Sequence, residues 1–155
     1  MLEIKTAGKE EIGGICQVYR TLYEAMANLQ PEYCAPGQPD RDFLLRRMES
    51  GDSEVFVARE GQAVVGFAMV QRQRVPPLDC LVKHDYAYLM DLAVMPKYRG
   101  RGAGTLLLDA VQAWARANNL DYLELNVLSN NSGARRLYSR NGYEESSCTM
   151  RKKLR

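Results

Sequence analysis

Several common kinds of chemistry lack their raw material in this sequence. There is one histidine, His84, and the four cysteines, Cys16, Cys34, Cys80 and Cys148, lie far apart with no C-x-x-C pair. A zinc site of ordinary spacing is therefore not expected, and no metal is assigned. A Ser-His-Asp or Cys-His mechanism would have to use His84, and no G-x-S-x-G elbow accompanies it. There is no uninterrupted apolar run of about 18 residues, so no bilayer-spanning helix is expected. The start, Met1-Leu2-Glu3-Ile4-Lys5, lacks the basic and apolar regions of a signal peptide. Free thiols in a reducing cytoplasm are the expectation. An excess of either charge is also missing. Lys+Arg is 21 and Asp+Glu is 19, a formal net charge of +2. That balance gives no reason to expect nucleic acid or an anionic membrane as a partner. Repeats, low-complexity tracts and linkers are absent.

What is present suits one globular domain. The chain has 155 residues, 46% hydrophobic and 26% charged, so residues 1–155 are read as a single domain with a real core. Leu2 to Thr6 alternates as a short strand. From Lys9 to Leu29, Ile12, Ile15, Cys16, Tyr19, Leu22, Tyr23 and Met26 fall at helical spacing. Pro31, Pro36, Gly37 and Pro39 break that pattern, and Asp40 caps a second helix carrying Phe43, Leu44 and Met48. Glu54–Arg59 and Ala63–Gln71 flank a Glu60-Gly61 turn as a hairpin. Tyr86–Val94 predicts a long strand. Ala103–Ala117 predicts a helix buried through Leu106, Leu107, Ala110, Val111 and Trp114. A strand from Leu123 to about Leu128, a helix over Asn131–Arg140 and a closing strand or hairpin over Tyr143–Lys152 complete the order. The expected fold class is α/β (α+β): a mixed, mostly antiparallel sheet of six to seven strands flanked by about four helices.

The most informative stretch runs from Val94 to Thr105, VMPKYRGRGAGT. A strand ends, a glycine-rich basic turn follows, and a helix begins. Glycines permit positive φ and leave N–H groups unshielded. A helix N-terminus adds free donors and a positive dipole end. Together these form a phosphate cradle, with Arg99 and Arg101 beside it. The ligand is not that of a Walker A loop, which needs Gly-Lys followed by Ser or Thr. The dinucleotide pattern G-x-G-x-x-G fails too, because its third glycine would fall on Thr105 or Leu107. What remains is R-x-x-G-x-G at Arg99, Gly102 and Gly104.

In these residues the chain resembles the GNAT family of acetyl-CoA-dependent N-acetyltransferases. Leu92-Ala93-Val94, Pro96 and Tyr98 through Gly104 match its strand-end and P-x-Y-R-G-x-G-x-G signature. Asn131, Ala134, Leu137, Tyr138, Gly142 and Tyr143 match its second signature, N-x-x-A-x-x-L-Y followed by G-Y. The resemblance covers Tyr86 to Met150 well, and the N-terminal half matches in element order only. It implies acetyl-CoA as co-substrate. Backbone N–H groups of Arg101, Gly102, Ala103, Gly104 and Thr105 would hold the pyrophosphate, with Arg99 and Gly100 lining the turn. The edge at Leu92, Ala93 and Val94 would bind the pantetheine and the acetyl carbonyl. Asn126 and Asn131 would contact the cofactor as well. Tyr138 would be the general acid at the sulfur. The strands around Tyr86–Val94 and Leu123–Leu128 would splay to admit the pantetheine. Homodimers are common in the family and are an analogy here.

The chemistry implied is attack of a neutral primary amine, on a small molecule or peptide, at the thioester carbonyl. A backbone N–H stabilises the developing oxyanion, and a weak phenol acid protonates the leaving thiolate. Deprotonating an alkylamine of pKa near 10.4 at neutral pH costs about 4–5 kcal/mol. Many family members place a Glu four residues before the strand-ending Val, but Met90 stands there. Strict alternation turns Asp91 to the opposite sheet face. Tyr88, Asn126 or Glu124 are left to order a water, His84 reads as exposed, and the base is unassigned. The acceptor site is expected between the first two helices and the loop before Tyr86, with Tyr19, Tyr23, Glu24, Tyr33, Asp79 and Asp85 as candidates. Arg41, Arg46 and Arg47 read as a solvated face. The competing reading is a catalytically inactive acyl-CoA-binding regulatory module, which Met90 favours.

Overall fold

The computed structural model describes residues 1–155. One sheet of five strands, in spatial order β1-β2-β3-β4-β5, carries helices on both faces. The strands are β1 (Leu2–Thr6), β2 (Ser53–Glu60), β3 (Ala63–Arg74), β4 (Asp85–Val94) and β5 (Leu123–Leu125). The helices are α1 (Ile12–Leu29), α2 (Arg41–Glu49), α3 (Ala103–Ala117) and α4 (Ser132–Arg140). The first four strands pair antiparallel, and β5 runs parallel to β4.

Each sheet face has its own core. Ile15, Val18 and Tyr19 of α1 and Leu44 of α2 pack on Val55, Val57, Phe67 and Met69. Leu107, Leu108 and Val111 of α3 pack on Val65, Ala68, Val70, Ala87 and Leu89 of the other face. Both cores follow from apolar stripes at helical and strand spacing. In α3 the stripe is rotated from the expected one. Leu108 is buried and Leu106 is 40% exposed. The apolar residues there nearly ring the helix, so spacing alone does not fix its buried side, and the expectation for Leu106 is corrected.

α1 begins at Ile12, because Lys9–Glu11 forms a separate helical turn. Glu11 holds that turn: its Oε1 accepts from Gly8 N at 2.8 Å. Lys5 and Arg59 approach the same buried carboxylate at 3.3 and 3.5 Å. Asp40 caps α2 as expected, accepting from Phe43 N at 3.1 Å. Arg47 is not solvated; it donates to Ser53 Oγ at 3.0 Å.

Two differences from the sequence reading matter. The sheet has five strands, not six or seven. Beyond Gly142 the chain makes no ladder, and residues from Glu144 to Arg155 are exposed. Arg151 stacks over Tyr33 with its guanidinium 4.3 Å from the ring centroid, and Lys153 reaches Glu32 at 3.0 Å. The tail is dominated by Glu, Ser, Lys and Arg, so it has little apolar surface to offset the entropy of ordering a strand. The second difference is a bulge in β4. Met69 pairs with Asp91 and Val70 with Leu89, so Met90 is the extra residue.

Candidate active site

The site lies on both sides of the C-terminal half of β4. On the α3 side, β5 follows β4 only from Ala87 to Leu89. The remaining edge, through Leu92, Ala93 and Val94, has no strand partner on that side. β5 stops at Leu125 instead of Leu128. Asn126 instead donates through Nδ2 to the Tyr88 hydroxyl at 2.8 Å, bridging the two strands where they part.

Past Val94 comes the glycine turn. Gly100 and Gly102 have φ of +78° and +84°, and a Cβ at either would meet open space. Gly102 is the α3 N-cap. The N–H groups of Gly100, Arg101, Gly102, Ala103, Gly104 and Thr105 find no acceptor within the chain. Leu106 N is the first in α3 to bond, to Gly102 O at 3.0 Å. Six consecutive donors and the positive end of the helix dipole are therefore left without a partner in the chain. The arginines are partly engaged by the protein. Arg99 Nε donates to Val94 O at 3.1 Å, and Arg101 pairs with Glu60 at 3.1 Å while stacking 5.2 Å over Tyr98. Gly104 serves a different purpose from the two turn glycines. A Cβ there would stand 3.0 Å from Leu137 Cδ2, so glycine permits the close approach of α3 and α4.

That approach positions Tyr138. Asn131 caps α4, its Oδ1 accepting from Ala134 N at 3.1 Å. One helical face then carries Leu137 and Tyr138 into the core under α3. The Tyr138 ring meets Tyr143 edge-on at 5.6 Å. Burial, then the neighbouring Tyr143 and Asp91, push its pKa up to about 12. The phenol therefore keeps its proton throughout the neutral range.

Asp91 is the functional candidate that alternation misplaced. The bulge at Met90 puts Met90 and Asp91 on the same face as Tyr88 and Ala93. The Tyr19 hydroxyl donates to Asp91 Oδ2. Burial raises the Asp91 pKa, and the Tyr19 hydrogen bond partly opposes that shift. Burial and the Asp91 charge together push the Tyr19 phenol up as well. Above this pair opens a cavity of about 250 Å³. α1 contributes Tyr19 and Tyr23, the start of α2 contributes Asp40 and Phe43, and β4 contributes Tyr88, Met90 and Asp91. A cavity thus opens between the first two helices, where an acceptor is expected, but β4 forms its floor and the loop before Tyr86 does not line it.

The other acceptor candidates lie elsewhere. Tyr33 sits under Arg151, Asp85 pairs with Arg74 at 3.4 Å, and Glu24 and Asp79 are exposed and outside the cavity. His84 pairs with Asp121 at 2.8 Å and also stands apart. Glu124 is exposed on β5, near Tyr86 and Tyr122. No signal within β4 distinguishes a bulge, so Asp91 was not legible from its own strand.

This sequence and fold have counterparts among known proteins. The chain is 32% identical over 143 residues to the uncharacterized N-acetyltransferase YhfO of Bacillus subtilis strain 168, covering 92% of this chain and 88% of that protein. Its fold matches the BH1408 protein from Bacillus halodurans, a tetramutant crystal structure, with a TM-score of 0.91 at 21% identity, covering 98% of this chain and 99% of that one. It also matches the aminoglycoside N-acetyltransferase AAC(6')-Iy in complex with CoA, with a TM-score of 0.73 at 18% identity, covering 100% of this chain and 95% of that one. A sequence model described as the Acetyltransferase (GNAT) family matches residues 19–143, a span holding the pocket, the bulge, the glycine turn and Tyr138, and the chain belongs to that family.

Proposed function

We propose that the protein transfers acetyl from acetyl-CoA to a primary amine by direct attack. In this reading Asp91 is the proton acceptor and Tyr138 the proton donor. One observation carries it: a run of acceptor-less N–H groups at Gly100–Thr105 opens beside an unpartnered strand edge. That arrangement suits a diphosphate followed by an extended amide-bearing arm. The relatives named N-acetyltransferase and the CoA complex of a structural neighbour support it.

Acetyl-CoA supplies an electrophilic thioester carbonyl. The chain supplies the rest. The amine enters through the cavity from the α1–α2 side and meets the β4 edge at the bulge. Its nitrogen bonds to the carbonyl carbon, and the carbon–sulfur bond breaks. The nitrogen's surplus proton goes to Asp91, directly or through one water, and the sulfur takes the Tyr138 proton. Burial makes Asp91 a stronger base than a surface aspartate, and this narrows the gap to the amine. Free N–H groups along Leu92–Val94 would stabilise charge on the carbonyl oxygen. Asn126 would hold Tyr88 at the junction of the two half-sites.

The test is calorimetric titration of the full chain with acetyl-CoA, with ATP and NAD as controls, followed by free-thiol release on an amine panel. Selective acetyl-CoA binding with amine-dependent thiol release is expected. No binding by folded protein overturns the reading. Binding without turnover on any amine makes the chain a regulatory acyl-CoA module.

A further inference from the structure

Resting on that reading, we infer that the acceptor is a short aliphatic diamine, cationic at both ends and free of carboxylate. Two carboxylates line the cavity, and they differ in exposure. Asp91 lies largely buried at the bulge, and Asp40 is exposed at the start of α2. No lysine, arginine or histidine lines it. A carboxylate or phosphate on the acceptor would be desolvated there against two like charges, with nothing to pair with it.

Asp40 is fixed in place. Its Oδ1 accepts from Phe43 N at 3.1 Å as the α2 cap, and it joins no ion pair of the chain. Its second carboxylate oxygen is free to receive an ammonium at the mouth. Four rings, those of Tyr19, Tyr23, Phe43 and Tyr88, line the same cavity. Such walls suit a methylene spacer, and their faces attract a cation. The size agrees. A space of about 250 Å³ equals roughly eight waters of liquid volume. It holds a chain of similar heavy-atom count, while a multi-ring amine would leave most of its body outside. The amine nearer Asp91 would be acetylated, and the far ammonium would stay at Asp40.

Three probes carry the reacting amine on the same five-carbon chain and differ in what the far carbon bears: an ammonium in cadaverine, nothing further in pentylamine and a carboxylate in aminocaproate. With saturating acetyl-CoA and thiol release as readout, kcat/KM should fall in that order. Cadaverine should exceed pentylamine by about tenfold, the scale of one hydrogen-bonded charge pair. Asp40→Asn keeps a capping oxygen. It should cut the cadaverine-to-pentylamine ratio by about tenfold, through KM rather than kcat. Equal use of aminocaproate and cadaverine would overturn the inference, as would an unchanged ratio in Asp40→Asn. If none of the three is turned over while a peptide amine is, the diamine assignment fails and the acetyltransferase reading stands. If acetyl-CoA does not bind in calorimetry, that reading itself fails.

Discussion

The two half-sites on either side of β4 are built from different materials. The glycine turn is a main-chain device. Its donors are consecutive N–H groups, its shape is two positive φ angles, and its arginines are occupied with Val94 O and Glu60. The cavity between α1 and α2 is a side-chain device. Its central contact, Tyr19 to Asp91, joins residues 72 apart in sequence, and α2 closes it from a third segment. A main-chain site can be specified by a contiguous stretch, because backbone conformation is local. A side-chain site exists only when sheet register and helix packing agree. The turn should therefore tolerate changes in the cavity, and the cavity should govern which amine reacts.

The strongest challenge to that division is Asp91→Asn. Amine turnover should drop about 10²–10⁴-fold, the usual worth of a positioned general base, while calorimetric affinity for acetyl-CoA holds. Loss of both together would show the half-sites to be one unit. The acidic limb of the wild-type rate profile should lie above the ordinary aspartate range, and the variant should lack it. Stability carries the matching sign. Because burial raises the folded-state pKa, the Asp91 contribution is full below the ordinary aspartate value and is lost as pH rises through the raised one. Denaturant unfolding of Asp91→Asn across that window should be flatter with pH than wild type.

Tyr138→Phe tests the side of the comparison nearest the sulfur. A fall of about 10²-fold in turnover with intact acetyl-CoA affinity is expected. An unchanged rate would remove the phenol from proton delivery. Gly104→Val comes next. Its added carbons press on Leu137, 3.0 Å from the Cβ position, so about 1–3 kcal/mol of stability should be lost by overpacking. Thermal unfolding measures this, and adding Leu137→Ala should return part of it. A normal melting temperature with lost cofactor affinity would mean that the side chain crowds the ligand instead. The smallest effect belongs to Gly102→Ala. No atom opposes its Cβ, but φ is +84°, so left-handed strain of about 1–2 kcal/mol is the whole cost. The melting temperature should fall by a few degrees.

Features that repeat within one element, or that occupy one continuous stretch, are legible in the residues alone. The α1 stripe, the Asp40 cap, the β2–β3 hairpin and the glycine turn all formed where spacing placed them. Each depends on contacts among residues a few positions apart. Tertiary structure alone decided that Met90 is a bulge and that Asp91 faces Tyr19, because alternation describes one strand and a bulge belongs to the pairing of two. It alone decided that Gly104 spaces two helices, since nothing near Gly104 in sequence reveals Leu137 above it. The tail after Gly142 shows the same limit from the other direction. Its residues can alternate, but a strand needs a partner edge and apolar surface to bury, and the polar tail settles on Tyr33 and Glu32 instead.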